Sequence, residues 1–266
     1  MALNLDAIKA KLNQLNKADD KKQNLWKPES GKTRIRIVPY VHRKDNPFLE
    51  LYFHYDISKR SMLSPITFGN ADPIVEFADK LKKTGDKDEW LMGRKIEPKM
   101  RTYVPVIVRG KEAEGVKFWG FGKQIYTEIL SIISDPDYGD ITDLMNGRDI
   151  DVEFTPAEGA NFPKTSIRVK PNTQPATDDK AIAEKIMNQP EITDLFPEPT
   201  YEELEKALSD WMNPENADAD APASTSTAST TTEDDEDEAP AKPAKAAKPI
   251  AGKVDDVASA FNDLFN

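Results

Sequence analysis

The sequence predicts a mainly β protein with helical additions and an acidic C-terminal tail that does not fold. Three observations carry this. Strand-like alternation of apolar and polar residues recurs between residues 33 and 170. Helical spacing with matching end signals is confined to a few short stretches. After Asn213 large apolar residues almost vanish, so that segment cannot bury enough surface to fold.

Residues 3–17 place Leu5, Ile8, Leu12 and Leu15 on one helical face, with Lys9 and Lys11 off that stripe. A polar linker, ADDKKQN, follows. In TRIRIVPY, Thr33, Ile35 and Ile37 alternate with Arg34 and Arg36, and Tyr40 follows on the arginine side. LELYFHYDI sets Leu49, Leu51, Phe53 and Tyr55 against Glu50, Tyr52 and His54. A helix is expected at DPIVEFADKLKKTG, with Asp72 as N-cap, Pro73 in the first turn and Gly85 at the C-terminal end. A second helix spans about residues 123–134 on the spacing of Ile125, Ile129 and Ile132. RDIDVEF and TSIRVK are strands joined by the turn PAEGANFP. TYEELEKALSDW carries a capping box, Thr200 with Glu203, and buries Leu204, Ala207, Leu208 and Trp211.

Charge divides the chain. Residues 1–130 hold 25 Lys and Arg against 17 Asp and Glu, a net of +8; residues 131–266 hold 11 against 30, a net of −19. A basic front and an acidic rear point to a polyanion-binding half and a separate acidic tail. The absence of cysteine excludes disulfides, thiolate metal sites and cysteine nucleophiles. No stretch has the apolar core of a signal peptide, and none is long enough to span a bilayer, so a cytosolic protein without membrane partners is expected.

The hairpin RTYVPVIVRGKEAEGVKFWGFGKQIY (residues 101–126) carries the binding chemistry. Alternation puts Arg101, Tyr103, Pro105, Ile107 and Arg109 on one face of its first strand. Lys117, Trp119, Phe121 and Lys123 share a face of its second. Cations neutralise phosphates and release counterions, and flat rings stack on any base. Such a face suits single-stranded nucleic acid, and Arg34, Arg36 and Tyr40 extend it. Open five-stranded barrels commonly present a face of this kind.

IRIVP (residues 35–39), Tyr103 within TYVPVIV, GVKFWGFGKQIY (residues 115–126), EGANF (residues 158–162) and the terminal FNDLFN occur in an order that resembles the helix-destabilising single-stranded-DNA-binding proteins of T-even-type tailed phages. The resemblance implies an OB-type five-stranded barrel core with peripheral helices, and sequence-independent, cooperative binding of single-stranded DNA. It further implies a role in phage replication, recombination and repair, in the cytoplasm of the infected bacterial host. It also implies self-association along DNA through the N-terminal arm and recruitment of replication proteins by the acidic tail. Arg36, Tyr103, Trp119 and Lys123 match DNA-facing positions, and Lys99, Arg101 and Thr102 partly match a basic-plus-hydroxyl patch. The family's structural zinc, held by one His and three Cys, is not supported. His54 stands at the His position, but DPIV replaces the cysteine pair, so no metal and no cofactor are expected.

The organisation expected is an arm at residues 1–20, a DNA-binding core at 21–213, an unfolded acidic linker at 214–252 and a partner-binding tip at 253–266. Lys9 and Lys11 in the arm, and Phe261, Leu264 and Phe265 in the tip, are the candidate protein-contact residues. The acidic run EDDEDE (residues 233–238) imitates phosphates and would moderate DNA binding. DPDYGD (residues 135–140) lacks the last ligand of a calcium loop, since Asn146 stands there, and reads as a turn. No nucleophile elbow or phosphate-cradling glycine loop is present, so no enzyme activity is expected. The alternatives are an acidic-tailed interaction or chaperone module and, less well supported, a metal-dependent nuclease.

Overall fold

In the computed structural model the described residues are 23–43, 45–157 and 162–213; they contain eight strands and six α-helices. In chain order these are β1 (Leu25–Trp26), β2 (Gly31–Ile37), β3 (Leu49–His54), β4 (Met62–Leu63), α1 (Pro73–Lys83), α2 (Lys87–Ile96), β5 (Lys99–Val108), β6 (Lys117–Phe121), α3 (Lys123–Ile133), β7 (Arg148–Thr155), β8 (Lys164–Thr173), α4 (Lys180–Met187), α5 (Ile192–Leu195) and α6 (Tyr201–Met212). The chain forms two compact units, one from residues 23–50 and 101–197 and one from residues 51–100 and 198–213.

The alternating stretches build the first unit. Its strands run β1-β6-β5-β2-β7-β8, with β1 parallel to β6 and every other pair along the path antiparallel. One sheet face buries Ile35, Ile37, Val104, Val106, Trp119, Phe121, Ile150, Val152 and Val169 against Ile125 and Ile129 of α3. The other face carries a smaller cluster, Val38, Ile107 and Val116, covered by Ala176 and by Ile186 of α4. β5 is therefore buried on both faces, which accounts for its unbroken run of aliphatic residues.

The mainly β fold with helical additions is present, and the sheet is not closed into a barrel. Six strands form an open path in this unit, and β1 and β8 at its ends do not pair. The reason lies in α3, which packs Ile125 and Ile129 into the core and touches β8. A helix, in place of a hydrogen-bonded ladder, occupies the gap between the sheet's ends.

In the second unit the end of β3 pairs with β4, Phe53 opposite Leu63 and His54 opposite Met62. Ile74, Phe77, Ala78 and Leu81 of α1 meet Ile96 of α2 and Leu204 and Leu208 of α6. Asp72 Oδ1 accepts the N–H of Ile74 at 2.9 Å and of Val75 at 3.3 Å, capping α1 as its sequence implies. Thr200 Oγ1 accepts from Glu203 N at 3.2 Å, and Glu203 Oε2 from Thr200 N at 2.8 Å, completing the capping box. α2, unread in the sequence, is capped by Asp86, whose Oδ1 accepts the N–H of Asp88 at 2.8 Å and of Glu89 at 3.3 Å. It packs tightly on α1, because a Cβ on Gly93 would come within 2.8 Å of the Ala78 carbonyl.

His54 is buried here, not on an open sheet face. Its Nδ1 donates to the Ile96 carbonyl at 2.9 Å and its Nε2 meets Asp72 Oδ2 at 2.9 Å. Ser64 donates its hydroxyl to the same oxygen. The zinc implied by the resemblance does not fit these residues: both imidazole nitrogens and both Asp72 oxygens are already engaged, and no thiolate is available. Burial pushes the Asp72 carboxyl up, but His54, Ser64 and the helix N–H of Val75 bring it below its ordinary value. A hydrogen-bonded cluster thus ties β3, the start of α1 and the end of α2 together.

Candidate nucleic-acid interface

Strand register decides which side chains share a face. Val104 stands opposite Trp119 and Thr102 opposite Phe121, while Tyr103 stands opposite Gly120. The alternation read within each strand is correct, but the two ring-bearing faces lie on opposite sides of the sheet. Trp119, 1% exposed, packs edge-on to Trp26 with centroids 5.7 Å apart and beside Phe121 at 4.6 Å. Trp119 and Phe121 are core residues and do not form the open stacking platform that their spacing suggested. Tyr103 is half-buried. Its ring covers Gly120, where a Cβ would come within 2.6 Å of Cε1, and lies 4.9 Å from Phe196.

Three further sequence candidates are engaged in contacts within the fold. Arg36 is 0% exposed; its Nη1 donates to Asp149 Oδ1 at 3.1 Å and its Nη2 to the carbonyls of Asp143, at 3.2 Å, and Gln174. Burial pushes its guanidinium down and Asp149 pushes it back. Arg109 chelates the same carboxylate, with Nε 3.0 Å from Oδ2 and Nη2 2.8 Å from Oδ1, and donates to the Ala176 carbonyl at 2.7 Å. Tyr40 is buried, and its hydroxyl accepts the N–H of Ile192 at 3.2 Å. Isolated cations on a strand look alike in sequence; only the position of Asp149 on β7 separates these two arginines from surface ones. Thr102 is also buried, so its hydroxyl is not presented with Lys99 and Arg101. Lys117 is ion-paired to Glu114.

The remaining candidates are on the surface. Lys99, at the start of β5, and Lys123, at the start of α3, are exposed, and Arg101 is half-buried. Arg34 is 48% exposed while its Nε donates to Asp151 Oδ1 at 2.8 Å. Arg101 opens onto a cleft at the seam of the sheet. It is lined also by Trp119 and Gly120 of β6, Gly122 just after that strand, Gln124 of α3, and Pro163, Lys164 and Thr165 at the start of β8. Two cations, an amide and a hydroxyl thus surround backbone kept accessible by glycine. Phe162, one residue before Pro163, is 67% exposed. α3 begins at this cleft with Gly122 as N-cap, so no side chain caps its first N–H groups.

β8 offers candidates that the sequence reading did not name. Its Lys164, Ser166, Arg168 and Lys170 alternate with Thr165, Ile167 and Val169, the signature used for the hairpin, but the strand has no ring to draw attention. In DPDYGD, the Asp135 side chain accepts the Asp137 N–H at 3.0 Å and Asp140 accepts that of Thr142 at 2.8 Å, as in a self-capped turn. Lys9, Lys11, Phe261, Leu264 and Phe265 lie outside the described residues, as do the arm, the acidic linker and the tip.

A family model described as gp32 DNA binding protein like matches residues 29–212. The chain belongs to that family. The match begins just before β2 and ends at the last residue of α6, so it takes in every strand of the seam except β1. A comparison with curated proteins found no match. Among the described residues, no helix is long and apolar enough to cross a membrane.

Proposed function

We propose that the protein binds single-stranded DNA without sequence preference, in the seam cleft of its first unit. The observation that carries this is the meeting of Arg101 of β5 and Lys164 of β8, strands that do not neighbour one another in the sheet, at one cleft, in a chain of a DNA-binding family. Arg101, Lys164 and Lys123 contact phosphates, Gln124 and Thr165 donate to backbone oxygens, and a base stacks on Phe162 in place of the buried Trp119. The open sheet, curled until its ends flank one cleft, is an OB-type platform completed by α3. The protein acts as a binder, not an enzyme, holding single strands during phage replication, recombination and repair in the host cytoplasm. It assembles cooperatively, and its acidic tail moderates binding and recruits partner proteins.

The test is a tryptophan fluorescence titration with poly(dT). Trp119 lines the cleft and Trp26 packs against it, so binding changes their emission. Added salt then reverses the change with a steep log–log slope, about 0.7 per phosphate contacted. Absence of any signal or mobility shift at low salt contradicts the proposal.

A further inference from the structure

The outer face of β8 continues from the cleft. Lys164 lines the cleft, and Ser166, Arg168 and Lys170 follow at alternate positions on the face opposite Val169 and the core. The row from Lys164 to Lys170 extends about 20 Å at the rise of an extended strand. β7 sets Asp151 opposite Arg168, and β2 sets Arg34 opposite Asp151 on the other side. Asp151, 2% exposed, holds three cations: Arg34 Nε at 2.8 Å on Oδ1, and Lys32 Nζ at 2.9 Å and Lys170 Nζ at 2.6 Å on Oδ2.

One carboxylate does not offset such a cluster. Lys32, Arg34, Arg168 and Lys170 against Asp151 and Glu153 leave a net of +2 on this part of the sheet. Three mutually repelling cations are held by a single buried anion while keeping part of their surface in solvent. Such an array is ready to receive a flexible polyanion, because its side chains are already ordered. Its far end is bounded by acid: Glu112, Asp178 and Asp179 surround a pocket beside Arg34 and Arg109.

We propose that Lys32, Arg34, Ser166, Arg168 and Lys170 form a phosphate rail, positioned by Asp151, that carries the backbone of a single strand out of the seam cleft. This rests on the single-stranded-DNA reading above and adds a second stretch of contact to it. The strand's bases stay in the cleft region and its sugar-phosphate backbone runs along β8 and β2. The acidic pocket ends the track by repulsion.

The experiment compares the full chain with Lys32→Gln/Arg168→Gln in oligo(dT) titrations across salt concentrations. Arg34 and Lys170 still hold Asp151 in this variant, so it folds. Losing two phosphate contacts lowers the salt slope by about 1.4, a weakening of about 25-fold at 0.1 M salt that vanishes towards 1 M. The saturating fluorescence change stays as in the wild type. A control, Lys111→Gln/Lys180→Gln, removes equal charge away from β8 and leaves the slope nearly unchanged. If Lys32→Gln/Arg168→Gln keeps the wild-type slope, or if the control loses as much, the rail is overturned while cleft binding stands. If the wild type itself does not bind, the cleft reading falls instead.

Discussion

Asp149 is the position at which a single change separates fold from binding. Its carboxylate accepts from Arg36 at 3.1 Å, from Arg109 at 2.8 and 3.0 Å, and from Gln174, and it is itself buried. Asp149→Ala leaves two guanidiniums without a counter-ion, one of them fully buried. Removing one partner of a buried ion pair costs about 3–5 kcal/mol, a large share of the roughly 5–15 kcal/mol that holds a typical domain together. With a urea m-value of about 3 kcal/mol/M, the midpoint falls by about 1–1.7 M. Arg36→Met is milder, since Arg109 still satisfies Asp149 and an apolar chain fills the buried site. Urea unfolding followed by circular dichroism, paired with an oligo(dT) titration of the folded fraction, reads both quantities. If Arg36→Met reduces affinity tenfold or more without moving the midpoint, Arg36 is a DNA contact and its assignment to the framework is wrong.

Gly120→Ala drives a methyl into the Tyr103 ring, which is backed by Phe196; a loss of about 1–3 kcal/mol is expected, and Tyr103→Ala in the same chain recovers part of it, as thermal melts will show. Acid destabilises the protein through Asp72 and Asp151. Burial raises the Asp151 carboxyl, but Arg34, Lys170 and Lys32 overcome this and hold it well below the usual carboxylate range. Because both folded-state values are depressed, their stabilisation is complete above the unfolded value near pH 4 and is lost as pH falls towards the folded values. Stability therefore stays flat from about pH 7 to 5 and declines below about 4, and a decline beginning at neutral pH would contradict the assignment of these carboxylates.

The element pattern was legible because each signal was local. Asp72 caps α1, Thr200 and Glu203 form their box, and the side chains of β2 and β5 alternate as read. α2 was missed although Asp86 caps it, because it lacks a strong apolar stripe of its own and meets α1 closely at Gly93. The site was half legible. A strand shows which residues share its own face, but not which face of its neighbour comes alongside. Val104 opposite Trp119 is a register fact, and it moved Trp119 and Phe121 from the surface into the core. Arg36 and Arg109 were read as ligand-facing because their partner, Asp149, lies 113 and 40 residues away. Lys164, Arg168 and Lys170 went unread as candidates for want of an accompanying ring, although their alternation was plain.

The most direct measurement is the affinity of Arg101→Gln/Lys164→Gln for a short oligo(dT), set beside its thermal stability. These two side chains reach the cleft from β5 and β8. With both charges gone, binding at 0.1 M salt weakens by about 25-fold, two phosphate contacts at about 0.7 each in the salt slope, while the melting temperature stays within a few degrees. An unchanged dissociation constant in the folded variant would mean that single-stranded DNA does not lie in the seam of this sheet.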